Sequence, residues 1–111
     1  MTTNNEAEKG KIFRLDSLID YAAGSIVSKT ILKKDSGNLS LFAFDKHEGL
    51  SEHTAPFDAM VQIIDGQAEI VIGGTSHFLE AGENIIMPAN VPHAVRAQEA
   101  FKMLLIMIKS N

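Results

Sequence analysis

From residue 25 to residue 108, short apolar runs alternate with polar residues, and small turn-forming residues separate the runs. Such alternation places successive side chains on opposite faces, so each run reads as a β-strand. "SIVSKTILKK" (25–34) is rich in β-branched residues, and "DSG" (35–37) ends it in a turn. "NLSLFAFD" (38–45) sets Leu39, Leu41, Ala43 and Asp45 on one face and Ser40, Phe42 and Phe44 on the other, so both faces are partly apolar. "AMVQIID" (59–65), Gly66 and "QAEIVIGG" (67–74) predict a hairpin around Asp65-Gly66, a strong turn dipeptide. Gly73-Gly74 predicts the next turn, "TSHFLEAG" (75–82) a further strand, and "NIIMP" (84–88) a strand stopped by proline. "HAVRAQ" (93–98) and "FKMLLIMI" (101–108) are expected to finish the chain as a pair.

Two segments depart from this rhythm. "FRLDSLIDYAAG" (13–24) spaces Leu15, Leu18, Ile19 and Ala22 as a helix does. It predicts a short helix or helical turn, capped by Asp16 or Ser17 and ended by Gly24. "KHEGLSEHTAPF" (46–57) is polar and reads as a long loop between strands. Long loops in compact domains often carry function, and this one holds His47 and His53. Short strands with glycine turns between them predict an all-β, antiparallel sandwich or barrel.

Composition narrows the function classes. The 111 residues suffice for one domain with one core. A net charge of −4 argues against nucleic acid, whose phosphates need a basic surface. The longest apolar run, "MLLIMI" (103–108), is far short of a membrane span. Without cysteine there is no disulfide framework, thiol nucleophile or thiolate metal site. The polar start "MTTNNEAEKGK" lacks a signal-peptide layout, so a cytoplasmic protein is expected. Residues 1–10 read as a disordered tail and 11–111 as the single domain.

The stretch "AGENIIMPANVPHAV" (81–95) carries a resemblance to a known family. Gly82, five residues, then Pro88, Ala89, Asn90, Val91, Pro92 and His93 resemble the second motif of the cupin superfamily, which ends in a metal-binding histidine. Asn90 stands where the family has glycine, and both residues tolerate positive φ. The first motif is reduced. "EHTAPFDAMVQIIDG" keeps Gly66 and one histidine, His53. The family's glutamate position falls on Ala59, beside Asp58, and the second histidine position on Ser51 or Ala55. The resemblance implies an antiparallel double-stranded β-helix, a jelly-roll or cupin barrel, with His53 and His93 at its mouth. It implies a divalent metal (Zn, Fe, Mn or Ni) held by those histidines, with Asp58 or Glu52 as substitute carboxylate. On a regular strand neither carboxylate shares a face with the expected ligand position.

The alternative is a metal-free barrel holding a small organic molecule. Replacing the expected glutamate by Ala59 enlarges the cavity, which suits such a ligand. His53, His93, Met87, Gln62, Phe57 and Ala59 are the candidate binding residues, although alternation sets Gln62 opposite Ala59, Val61 and Ile63. Phe42 or Phe44 is a further candidate for the apolar wall. Met60, Met87, Met103 and Met107 line a soft cavity, pack the core or cover a dimer interface. His77 and His47 carry no motif and read as structural or solvated. Three functions stay open: a metal-dependent dioxygenase, isomerase or lyase on a small polar substrate; a small-molecule binding module; and a structural dimer. Cupins of this size commonly form homodimers, and "KIFRL" (11–15) and "SIVSKTIL" (25–32) offer apolar material for one.

Overall fold

The computed structural model describes residues 6–109. Eight strands follow one short 3-10 turn, Leu15–Ser17. They are β1 (Ile26–Lys34), β2 (Gly37–Phe44), β3 (Gly49–His53), β4 (Asp58–Ile72), β5 (Thr75–Glu80), β6 (Asn84–Met87), β7 (His93–Arg96) and β8 (Phe101–Ile108). All pairings are antiparallel. One sheet runs β1-β2-β8-β4-β6 and the other β3-β7-β4-β5, so β4 belongs to both. The fold is the double-stranded β-helix that the family resemblance implies.

The hairpin expected at Asp65-Gly66 does not form. The chain runs straight through as one strand of 15 residues, β4. Its first half pairs with β8 and β6, and its second half with β5 and β7. Opposite β8 the register slips between Ile63 and Asp65, which marks a bulge. Gly66 follows with φ +77. The inward set changes there from Ala59, Val61 and Ile63 to Ala68 and Ile70, and only an extra residue makes that change of parity possible. A left-handed glycine serves a bulge as well as a hairpin, and β8 lying alongside decides for the bulge. The hairpin at Gly73-Gly74 does form, with both glycines at positive φ, joining β4 to β5.

Two other expectations are corrected. The segment 46–57 is not all loop, because its middle forms β3 and pairs with β7. The last two strands do not pair with each other. β7 lies between β3 and β4, and β8 between β2 and β4. Their apolar faces belong to different sheets, which sequence adjacency does not reveal.

β2 has two apolar faces because it has two cores to serve. Phe44, with Phe42 beside it, joins Val61, Ile63, Ile70, Phe101 and Met103 inside the barrel. Phe44 stacks on Phe101 with ring centroids 4.7 Å apart. Leu41 and Ala43 face outward and meet Ile19, Ile31 and Leu104, with Leu15 and Leu18 packed against them. The N-terminal segment thus covers part of the outer face. Its turn has no side-chain cap: Arg14 holds the cap position, the Asp16 carboxylate pairs with Arg14, and the Ser17 hydroxyl donates to the Arg14 carbonyl. Of the tail expected over residues 1–10, the first five lie outside the described residues, and Ala7 donates its N–H to the Ile31 carbonyl at 3.0 Å.

A latch holds this segment at the bend of β4. Lys102 Nζ, nearly buried, donates to the Asp16 carbonyl at 2.7 Å. The Tyr21 hydroxyl donates to Asp65 at 2.5 Å. Burial, then that carboxylate, raise the phenol above its ordinary pKa, so it stays a donor at any ordinary pH.

A methyl group at Gly66 would collide with the Ala100 carbonyl and press on Phe101, in a backbone region that L-residues avoid. Gly66→Ala is expected to cost about 2 kcal/mol or more of folding stability. Urea unfolding followed by circular dichroism measures it.

Candidate functional site

His93 opens β7 and His53 closes β3, and the ladder makes them direct cross-strand partners. Their rings meet edge to face, centroids 4.3 Å apart. The turn before His93 places it there. Pro88 ends β6, Asn90 adopts φ +65 as its glycine-like role predicts, and the Asn90 N–H donates to the Ala55 carbonyl at 2.8 Å. That bond ties the segment after His53 to the segment before His93.

Both imidazoles are fixed in the same way. His53 Nδ1 lies 2.8 Å from the Ser51 carbonyl, and His93 Nδ1 lies 3.2 Å from the Val91 carbonyl. A carbonyl only accepts, so in the neutral ring each Nδ1 carries the proton and each Nε2 keeps its lone pair. It is the backbone of Ser51, not its hydroxyl, that touches His53. His93 is 93% withdrawn from solvent, whereas His53 stands at the exposed rim.

The two rings line one cavity of about 70 Å³ with Leu50, Ala55, Phe57, Ala59, Met87, Val95, Met103, Leu105 and Met107. Everything but the imidazoles is apolar. Of the candidate binding residues, His53, His93, Met87, Phe57 and Ala59 therefore come together. Gln62 does not: it faces away from the cavity, paired with Asn84 and Leu104, as alternation dictates. Met60 lies on that same outer face, while Met103 and Met107 join Met87 inside. Phe42 and Phe44 belong to the core of the barrel rather than to the cavity wall. His77 pairs with Ile70 at the far end, and His47, at φ +73, lines a separate outer hollow with Glu69 and Arg96. Ala55 is one of the two positions at which the family's second histidine was expected, whereas Leu50 and Leu105 had no signal of their own in the sequence. Inward alternation from His93 reaches Val95, but Leu50 needed the unpredicted strand β3.

The candidate carboxylates are elsewhere. Asp58 accepts the Ala89 N–H at 2.8 Å, bracing the turn before His93 from outside. Glu52 lies between Ser51 and His53 on the exposed side of β3. Among the described residues, no third His, Cys, Asp or Glu joins the two histidines into a metal-holding group. A divalent ion of the expected kind takes about four to six ligands, nitrogen and oxygen among them. Two imidazoles in an apolar cavity do not fit it.

A barrel of two sheets sharing one bent strand, with a histidine pair at its mouth, defines the class of small double-stranded β-helix barrels. The family model described as "Cupin domain" matches residues 40–109, and this chain belongs to the cupin family. A conserved protein of unknown function from Streptococcus pyogenes is similar over 100% of this chain and 97% of its own, at 34% identity and a TM-score of 0.90. A cupin 2 conserved barrel domain protein from Leptotrichia buccalis is 40% identical over 87% of this chain, which spans 47% of that longer protein (TM-score 0.85). A cupin superfamily protein from Desulfitobacterium hafniense is 26% identical over 99% of this chain and 100% of its own, with a TM-score of 0.87. No curated protein matches.

If Asp58 serves the turn rather than an ion, Asp58→Ala should cost about 1 kcal/mol, the net worth of one such hydrogen bond. Asp58→Asn keeps an acceptor and should recover most of it. Urea melts of both variants measure the difference.

Proposed function

We propose that this cupin is a binding module for a small, largely apolar organic molecule that carries a hydrogen-bond donor. One observation carries the reading. Two imidazoles, each with Nδ1 tied to a carbonyl two residues back, offer Nε2 acceptors in an otherwise apolar cavity. A ligand hydroxyl or amine that donates to Nε2 recovers the hydrogen bond it loses on leaving water. Its carbon portion removes apolar surface of Phe57, Met103 and Leu105 from water. The size is bounded. An enclosed cavity of about 150 Å³ takes benzene, and this one is half of that, so the ligand's head is enclosed and its remainder lies at the mouth.

Turnover finds less support. A neutral imidazole can accept a proton, but no nucleophile stands beside either ring among the lining residues. The lining also lacks the carboxylate that a cupin dioxygenase or lyase of the expected kind would use. The self-associating form keeps its own support. Ile86 and Ile108 remain 62% and 68% exposed on the outer face of the first sheet, beside Met60 and Ile106, as a second copy would require.

Phenol is a suitable test molecule. The four histidines give few, separable C2–H proton resonances, and phenol should shift those of His53 and His93 but not those of His47 and His77. Ala59→Leu, which fills the cavity, should remove the shifts. If phenol, aliphatic alcohols and small amines all leave the His53 and His93 signals unmoved, the organic-ligand reading fails. Sedimentation should find a dimer, reduced to monomer by Ile86→Lys.

A further inference from the structure

An edge strand presents N–H and C=O groups that a foreign strand can pair with. The two sheets end in β1, β6, β3 and β5, and the first three of these edges are blunted. β1 carries a bulge between Thr30 and Leu32, ends in Lys33 and Lys34, and has its Ile31 carbonyl taken by the Ala7 N–H. β3 has five residues and an irregular register, and β6 has four and stops at Pro88. β5 differs from all of them. Its six residues pair with β4 without a slip, and it holds neither lysine nor proline.

The turn before β5 fixes which of its main-chain groups face outward. Gly73 and Gly74, at φ +55 and +83, form a two-residue hairpin loop, so the flanking pair Ile72–Thr75 is hydrogen-bonded. Antiparallel pairs alternate, so His77 and Leu79 also bond to β4, while Ser76, Phe78 and Glu80 turn their N–H and C=O away from it. Glu80 agrees: its N–H donates to the Glu83 carboxylate at 2.8 Å, and its carbonyl accepts the Glu83 N–H at 2.9 Å. Glu83 therefore caps one end of the edge. Among the described residues, no hydrogen bond reaches the outward main-chain groups of Ser76 and Phe78. The Phe78 ring beside them is 59% exposed.

We propose that β5 is a docking edge for an extended, basic peptide segment of a partner protein, which joins the second sheet alongside Ser76 and Phe78. In an antiparallel arrangement the segment bonds to the N–H and C=O of both residues. A β-branched or aromatic side chain opposite Phe78 packs on its ring. Two residues earlier, the segment passes Glu80 and Glu83, both exposed and neither in an ion pair among the described residues. A lysine there complements the two carboxylates. A second copy of the chain offers the same main-chain groups but sets only Gly74 beside Glu80, so it leaves the carboxylates unmatched. The self-association described above also uses the first sheet, which leaves this edge of the second sheet open. The inference goes beyond the cavity reading and does not depend on it.

The probe is acetyl-Lys-Thr-Val-Thr-Val-amide, added at millimolar concentration to the isotope-labelled full chain. It should shift the amide resonances of Ser76 and Phe78. At about ten times its dissociation constant it should slow their hydrogen exchange about tenfold. Ser76→Pro removes an outward N–H and leaves the ladder to β4 whole, so binding should be lost while circular dichroism stays native. Phe78→Lys, at an exposed position, should also abolish binding by placing a like charge on the edge. Glu83→Gln keeps an acceptor for Glu80 and should weaken binding about two- to fivefold, the worth of one exposed ion pair. The analogue acetyl-Glu-Thr-Val-Thr-Val-amide should bind more weakly than the lysine peptide. The proposal is overturned if the lysine peptide leaves the Ser76 and Phe78 signals unmoved, if the glutamate analogue binds as tightly, or if the Ser76→Pro and Phe78→Lys variants bind as the parent does. It is equally overturned if both amides are protected in the free protein and lose that protection on dilution, because a second copy then holds the edge.

Discussion

The barrel depends on one strand doing the work of two. β4 gives its first half to one sheet and its second half to the other, and the bulge at Ile63–Asp65 with Gly66 behind it is where it changes sides. A flat strand through this segment would leave Ala68 and Ile70 facing solvent once Val61 and Ile63 face inward. The bulge resolves that conflict by one extra residue. Everything that closes the barrel then follows, since β8 and β6 flank one half, and β7 and β5 the other. Tyr21 and Lys102 attach the N-terminal segment at this corner, where Asp65 lies. The corner is thus supported from outside as well as from within.

The site inherits its geometry from the same arrangement. Ala59 is in the half of β4 that pairs with β6 and β8, and Ile72, opposite His93, is in the half that pairs with β7. The mouth of the cavity therefore has one wall from each sheet. Two thioether-bearing strands approach from the first, and two imidazole-bearing strands from the second. The two imidazoles both stand on the second sheet, beside Leu50 and Val95, and the first sheet contributes apolar side chains alone.

Much of this was legible in the residues. The alternation gave seven of the eight strands their approximate places, and the spacing from Gly82 to His93 anticipated both the positive φ of Asn90 and the inward histidine. The failures share a cause. Asp65-Gly66 has the same local preference in a hairpin and in a bulge, and the choice belongs to a partner strand some forty residues later in the chain. β3 is polar and short, and it becomes a strand only because β7 offers it an edge. Asp58 and Glu52 were drawn to the site by charge and nearness in sequence, whereas a strand sends neighbours to opposite faces. The carbonyl anchors of the two imidazoles share one local feature: in each case the partner lies two residues back in the chain.

Those anchors have an evolutionary consequence. Each imidazole is oriented by a carbonyl two residues back in its own chain and by the edge-to-face contact with the other ring. Substitutions at Leu50, Val95 or Leu105 can therefore reshape the space without removing the carbonyl anchors of the histidine pair. Positioning and selectivity reside in separable sets of residues. A lineage carrying this barrel is free to change the shape of the pocket, step by step, while the histidine pair remains in place.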